Sequence, residues 1–269
     1  MRQESGDSKQ ESGIGHLASD IRHQVSMDRD DRTILAVDSS PSVLFYLGML
    51  LNRLGYRVLS SRSAEEALRI MEGNLPTLLL TELSLPRMNG MAFLMQVKEN
   101  PQLKAVPVVV LTSGSDRGIE DTCLRAGCAA FLNKPVQPDV LYRAIQSASE
   151  SVPRQHIRLN TSLMVTVDDG GILGESQRIE YATAISEGGI YIRTLYPQPA
   201  QTLVSVTIGM KDREVRVKAV VLYTYSIGEG PFKEPGMGMK FTEIADEDRT
   251  LIREYIEEQL TRDLAEAGA

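Results

Sequence analysis

The chain has 269 residues, of which 42% are apolar and 24% charged, with a net charge of −7. That length allows two ordinary domains, each able to close a core, while no apolar run approaches the roughly 18–20 residues of a membrane span. No region has the basic excess of a general nucleic-acid surface, and two cysteines, Cys123 and Cys128, are too few for a disulfide framework and read as buried thiols.

Residues 1–31 are rich in Ser, Gly, Asp, Gln and Glu and have no aromatic side chain. Such a segment cannot bury enough surface to offset its ordering entropy, so a disordered tail is expected, with a short amphipathic helix over 17–25 as the alternative. MRQESGDSKQ lacks the basic-then-apolar order of a signal peptide, and a cytoplasmic location is expected. From residue 33 strands and helices alternate. TILAV (33–37) is an apolar run ending in Asp38, and VLFYLGMLLNRLGY (43–56) has helical periodicity between Ser40-Pro41 and a stop at Gly55. YRVLS (56–60) reads as a strand, and SAEEALRIMEG (63–73) as a helix with a capping box of Ser63 and Glu66. Strands over 77–82, 106–112 and 129–133 then alternate with helices over 91–100, 116–127 and 138–151. The strands are apolar throughout, which predicts a doubly wound five-stranded parallel sheet covered on both faces.

Ligand chemistry in such sheets lies at the carboxyl ends of the strands. Those ends carry Asp38, Glu82, Thr112 and Lys134: two acids, a hydroxyl and an ammonium on one edge. With LAVDSS, TELSLPRMNG, VVVLTS and FLNKPV in this order, residues 32–150 resemble the receiver domain of two-component response regulators. The resemblance implies that position 82 is the phosphoacceptor, an aspartate in the family and a glutamate here. It implies a Mg²⁺-binding acidic pair at Asp38 and Ser39, where one carboxylate is missing, and switch residues at Thr112, Phe131 and Lys134. Glutamate is one methylene longer, and an error of about 1 Å in attack geometry costs roughly a hundredfold in rate. Losing a hard oxygen ligand weakens Mg²⁺ binding. The expectation is a pseudo-receiver that is not phosphorylated and holds no metal, with Glu82 paired to Lys134. The alternatives are a tolerated acid in a degenerate pocket, and residual phosphorylation.

After residue 151 the period switches from helical to alternating, and strands are expected over 162–167, 182–185, 189–194, 202–210, 213–226 and 236–244. In the longest, Val215, Val217, Ala219, Val221, Tyr223 and Tyr225 fall on one face by period-2 counting. Six antiparallel strands without crossover helices predict a small barrel, closed by a helix that opens with acids at Asp246 and carries an apolar stripe of Leu251, Ile252, Tyr255, Ile256 and Leu260. Arg154 and Arg158 precede the first strand, and Ser186, Gly188 and Gly189 form a turn thirty residues on. Guanidinium groups fork onto phosphate or a guanine edge, and glycine lets backbone approach a ligand. Taken alone, R-x-x-x-R is as well explained by a solvated surface.

With the S-x-x-G turn, the barrel, GMGMKFTEIADEDR and the closing helix, residues 151–265 resemble a PilZ domain, a family that binds cyclic di-GMP. The resemblance assigns Arg154, Arg158, Ser186, Gly188 and Gly189 to the ligand, and puts Ala184 where the family usually has Asp or Asn, a loss of up to about tenfold in affinity. His156 and Ser186 have no marked orienting acid or oxyanion site, so no catalysis is expected, and His16 and His23 fall in the tail, away from any metal cluster. The whole predicts a non-enzymatic signalling protein that binds cyclic di-GMP and meets a protein partner, a second copy among the candidates, through its receiver-like half. The alternative is an interaction scaffold in which both pockets are degenerate.

Overall fold

A computed structural model describes residues 32–114, 117–168, 177–211, 213–230 and 233–262. The expected tail, and the alternative helix over 17–25 within it, lie outside the described residues. The first half alternates strand and helix: β1 (Thr33–Val37), α1 (Pro41–Arg53), β2 (Arg57–Ser61), α2 (Ala64–Gly73), β3 (Leu78–Thr81), α3 (Gly90–Glu99), β4 (Val108–Thr112), α4 (Arg117–Arg125), β5 (Ala130–Asn133) and α5 (Pro138–Ser149). The strands are parallel in the order β2-β1-β3-β4-β5. Ile34, Ala36, Leu78, Leu80 and Val109 pack with α1 and α5 on one face, and Leu35, Val37, Leu79, Val108 and Val110 with α2, α3 and α4 on the other. Every one of these strand residues is buried, which is why the strands read as unbroken apolar runs. The order reverses between β1 and β3, and the crevice at that switch point is where Asp38 and Glu82 emerge side by side.

The helix starts have identifiable causes. Pro41 and Ser40 begin α1, with the Ser40 hydroxyl accepting from the Val43 amide. At α2 the Ser63 hydroxyl accepts from the Glu66 amide, but the Glu66 carboxylate accepts from the Arg62 amide and the Ser61 hydroxyl rather than completing a reciprocal box with Ser63. Cys123 and Cys128 are buried thiols in the second core.

The second half consists of β6 (Leu159–Asp168), β7 (Gln177–Ser186), β8 (Gly189–Arg193), β9 (Leu203–Met210), β10 (Arg213–Tyr225), β11 (Gly236–Glu243) and α6 (Asp246–Thr261). The strands close into an antiparallel barrel in the order β10-β11-β8-β7-β6-β9, with β9 returning to β10. Val215, Val217, Ala219 and Val221 are buried in its interior. Tyr223 and Tyr225 depart from the period-2 expectation. The register against β11 slips between Val221↔Met239 and Tyr223↔Gly238, a bulge that transfers all following side chains to the opposite face. Both rings therefore lie outside the barrel, against Tyr191 at centroid distances of 6.4 and 6.3 Å. Gly238 makes room for them, since a Cβ there would sit 2.2 Å from the Tyr223 ring.

The two halves are joined by packing as well as by chain. The apolar cluster on the α1/α5 side of the sheet runs on into the barrel core and the buried stripe of α6, Ile252, Ile256 and Leu260. The Arg53 guanidinium, at the end of α1, donates to the carbonyls of Gln259 (3.3 Å), Leu260 (2.8 Å) and Arg262 (2.5 Å) at the end of α6. Those carbonyls have no partner within their own helix, and a cation is favoured at that negative pole. Gln146 of α5, almost fully buried, donates to the Tyr56 hydroxyl and accepts from the Arg154 amide.

Candidate functional site

Two groups of polar residues stand out, one in each half. In the first, Asp38 follows β1, Glu82 follows β3, Thr112 ends β4 and Lys134 follows β5. These four, with Ser39, line a single open pocket. Asp38 and Glu82 are 4% and 5% exposed, deep enough that their charges need partners. Lys134 provides the partner for both: its ammonium donates to Glu82 Oε2 at 2.7 Å and to Asp38 Oδ2. Glu82 Oε1 accepts the amides of Leu83 (2.7 Å) and Ser84 (3.2 Å), and Oε2 also accepts the Ser113 amide (3.3 Å). Asp38 Oδ1 accepts the Ser40 amide at 2.8 Å. Burial alone would push the Glu82 carboxyl up. The Lys134 ammonium, the Thr112 hydroxyl and the Ser84 amide outweigh it and hold the group below the ordinary carboxylate range. Phe131 is half-buried and packs against the second core rather than lining the pocket. Gly90 explains the Met-Asn-Gly turn: a Cβ there would lie 2.2 Å from the Glu82 carbonyl, so the start of α3 is seated directly on the backbone of the acid.

The second group lies on the outer face of the barrel where β6 begins and β7 turns into β8. The pairs Leu159↔Ile185 and Asn160↔Ala184 set the register and bring Arg158 level with Ser186. Leu159 and Ile185 point inward and are buried, so Arg158, Asn160, Ala184 and Ser186 belong to the outer face. Among the described residues, neither the Arg154 nor the Arg158 guanidinium has a hydrogen bond or ion pair. The Ser186 hydroxyl donates to the Gly189 carbonyl at 3.1 Å and tightens the turn. Gly189 is pressed on β11, where a Cβ would lie 2.3 Å from the Met239 carbonyl, and Gly188 faces the His156 ring. The open donors of the Arg158 guanidinium beside a compact turn, with those of Arg154 four residues earlier in the chain, suit an anion that offers paired oxygens, such as a phosphate.

Several neighbours of this surface had no signal in the sequence. Glu187, inside the turn, accepts Arg253 Nε and Nη2 on one oxygen at 3.0 and 2.7 Å, and its carbonyl accepts Arg249 Nη1 at 2.8 Å. Both arginines come from α6, so the helix that Arg53 holds at its far end also grips the turn. Asn160 and Tyr191 flank Ala184 as its register partners on β6 and β8. Only the barrel pairing brings them together.

Comparison with known proteins bears on both halves. Residues 34–146 match the family model described as the response regulator receiver domain, and residues 153–258 match the PilZ domain. A 14.6 kDa uncharacterised protein from Leptolyngbya boryana is 32% identical over 120 residues, 45% of this chain and 92% of its own length. The chain belongs to the response regulator receiver family, with a PilZ domain following. The transcriptional regulatory protein GlrR of Escherichia coli is also 32% identical, over 117 residues, but this chain spans only 26% of its length. The crystal structure of a putative response regulator from Chloroflexus aurantiacus is 31% identical, covering 44% of this chain and 98% of that one with a TM-score of 0.42. The receiver matches concern the first group of residues, and the PilZ match spans both halves of the second. Among the described residues, no helix is long and apolar enough to cross a membrane.

Proposed function

We propose that this protein is a non-enzymatic cytoplasmic signalling adaptor that binds cyclic di-GMP on the PilZ barrel and passes its occupancy to a protein partner. The single observation that carries the reading is that, among the described residues, neither the Arg154 nor the Arg158 guanidinium has a partner, while strand register sets Arg158 level with Ser186 at the Ser186-Glu187-Gly188-Gly189 turn. Each can give a charge-assisted bond to phosphate or a guanine edge, worth about 1.5–3 kcal/mol. Isothermal titration with cyclic di-GMP should give saturable heat, and Arg158→Ala should remove it while leaving the thermal melt unchanged, because Arg158 is exposed. Equal affinity in the variant would overturn the assignment.

The receiver half is a fixed rather than a switching element in this reading. Phosphoryl transfer needs a carboxylate free for in-line attack and a divalent cation beside it. Both Glu82 oxygens are occupied by amides and an ammonium, and Asp38 shares the same ammonium. Ser39 offers a hydroxyl where a second carboxylate would be needed. The donor set therefore does not fit Mg²⁺. Intact mass after exposure to acetyl phosphate and Mg²⁺ should be unchanged, whereas a stable species about 80 Da heavier would overturn this part.

Transmission would run along two routes. Arg154 is anchored by its backbone to buried Gln146 in the receiver, and the turn is tied through Glu187 to α6 and so to Arg53. A ligand that draws the arginines onto the turn loads both joints at once, and it shifts the arrangement only by its differential affinity for the two states. Ala184 and Glu82 favour a second reading, a scaffold with no small ligand, and the same titration separates the two.

A further inference from the structure

The row of outer-face side chains next to Arg158 reads, by strand register, Asn160 on β6, Ala184 on β7, Tyr191 on β8, Gly238 on β11 and Tyr223 on β10. Register partners share a face and have Cβ atoms about 4.5–5.5 Å apart. Within the row only Asn160 and the tyrosines carry polar groups. The Tyr191 hydroxyl is committed, donating to the Glu234 carbonyl at 3.1 Å, and its ring is packed under Tyr223 and Tyr225. Asn160 is exposed, and no described residue bonds to its amide. Ala184 ends at Cβ, so nothing on β7 stands between that amide and the space in front of the row. Arg158 is two residues earlier, on the same face by the period of the strand.

We propose that Asn160 is a base-edge contact of the nucleotide site. Its side chain reaches across Ala184 to the spot that a polar residue at position 184 would otherwise serve. An amide carries an acceptor and two donors on one plane, which matches the mixed donor and acceptor edge of a purine. The arginines handle charge, Asn160 handles the neutral edge, and the two tasks come from one strand. This rests on the cyclic di-GMP reading of Arg154 and Arg158.

Four proteins titrated with cyclic di-GMP under one buffer test it: the parent chain, Asn160→Ala, Ala184→Asn and the double variant. The parent should bind, and Asn160→Ala should bind about three- to tenfold more weakly with an unchanged melting temperature, since its amide supports nothing in the fold. The double variant should recover to within about twofold of the parent, because the amide returns from the facing strand, while Ala184→Asn alone should gain little; such non-additivity is the sign of a shared contact. Equal affinity of parent and Asn160→Ala, or a double variant as weak as Asn160→Ala, overturns the role of Asn160 and leaves the arginine site intact. A parent that gives no heat overturns the cyclic di-GMP reading itself, and this role with it.

Discussion

Replacing Lys134 with alanine removes the ammonium that two buried carboxylates share. Glu82 is left with neutral donors alone, the Thr112 hydroxyl and backbone amides such as that of Ser113 at 3.3 Å, and Asp38 Oδ2 loses its salt bridge. With both acids at most 5% exposed, water at the mouth of the pocket replaces the ammonium only in part. Stripping one partner from a buried pair costs about 3–5 kcal/mol, which at roughly 2–4 °C per kcal/mol for a chain of this size lowers the melting temperature by about 10 °C. The pH dependence identifies the cause. In the parent, the Glu82 carboxyl is held below its ordinary value of 4.5, so its contribution is present above that pH and is lost as pH falls through the folded value. In Lys134→Ala the two acids repel, one takes a proton readily, and acidification relieves the strain. The gap between parent and variant should therefore shrink from pH 7.5 to pH 5. Urea denaturation followed by circular dichroism at both pH values measures it. A gap under about 1 kcal/mol at pH 7.5, or one that widens on acidification, would refute the reasoning.

Gly189→Ala places a Cβ 2.3 Å from the Met239 carbonyl, so the β7–β8 hairpin must lift from β11; a loss of about 1–3 kcal/mol in urea denaturation is expected, and an unshifted midpoint would contradict the packing. Arg53→Ala leaves two terminal carbonyls of α6, Gln259 and Leu260, and that of Arg262 just beyond it without this donor. It should cost about 1–3 kcal/mol and speed amide exchange in the last turn of α6, with parental exchange there as the contrary result.

The parallel sheet was legible because both of its faces are covered: Leu78, Leu79 and Leu80 are all buried, whichever way they point. The meeting of its polar side chains on one edge was legible too, since Asp38, Glu82, Thr112 and Lys134 each stand at the end of an apolar run and line one pocket. The pairing of Glu82 with Lys134, expected from the receiver resemblance and the extra methylene of glutamate, is present, and Lys134 also holds Asp38. What escaped was whatever depends on register or on distant chain. The bulge after Val221 is one extra residue in a strand that otherwise alternates perfectly, so counting carried Tyr223 and Tyr225 to the wrong face. Asn160 looks like any surface amide until β7 is laid beside it. Arg53, Arg249 and Arg253 read as ordinary charges on exposed helical faces, and their carbonyl and carboxylate partners lie 62 to 209 residues away.

The grip of Arg53 on α6 bears on how this protein can be taken apart. Family resemblance invites a cut near residue 150, yet the barrel's final helix ends on a guanidinium owned by the other side of that cut. A barrel expressed by itself would fray at its C-terminus and bare the apolar seam that α1 and α5 normally cover. It would also free the Arg154 amide from Gln146, so an arginine on which the proposed ligand site depends would lose its footing. Titrations on an excised fragment would then understate any affinity the whole chain has, and a transplanted barrel would need its native neighbour, or a mimic of Arg53, to behave as it does at home.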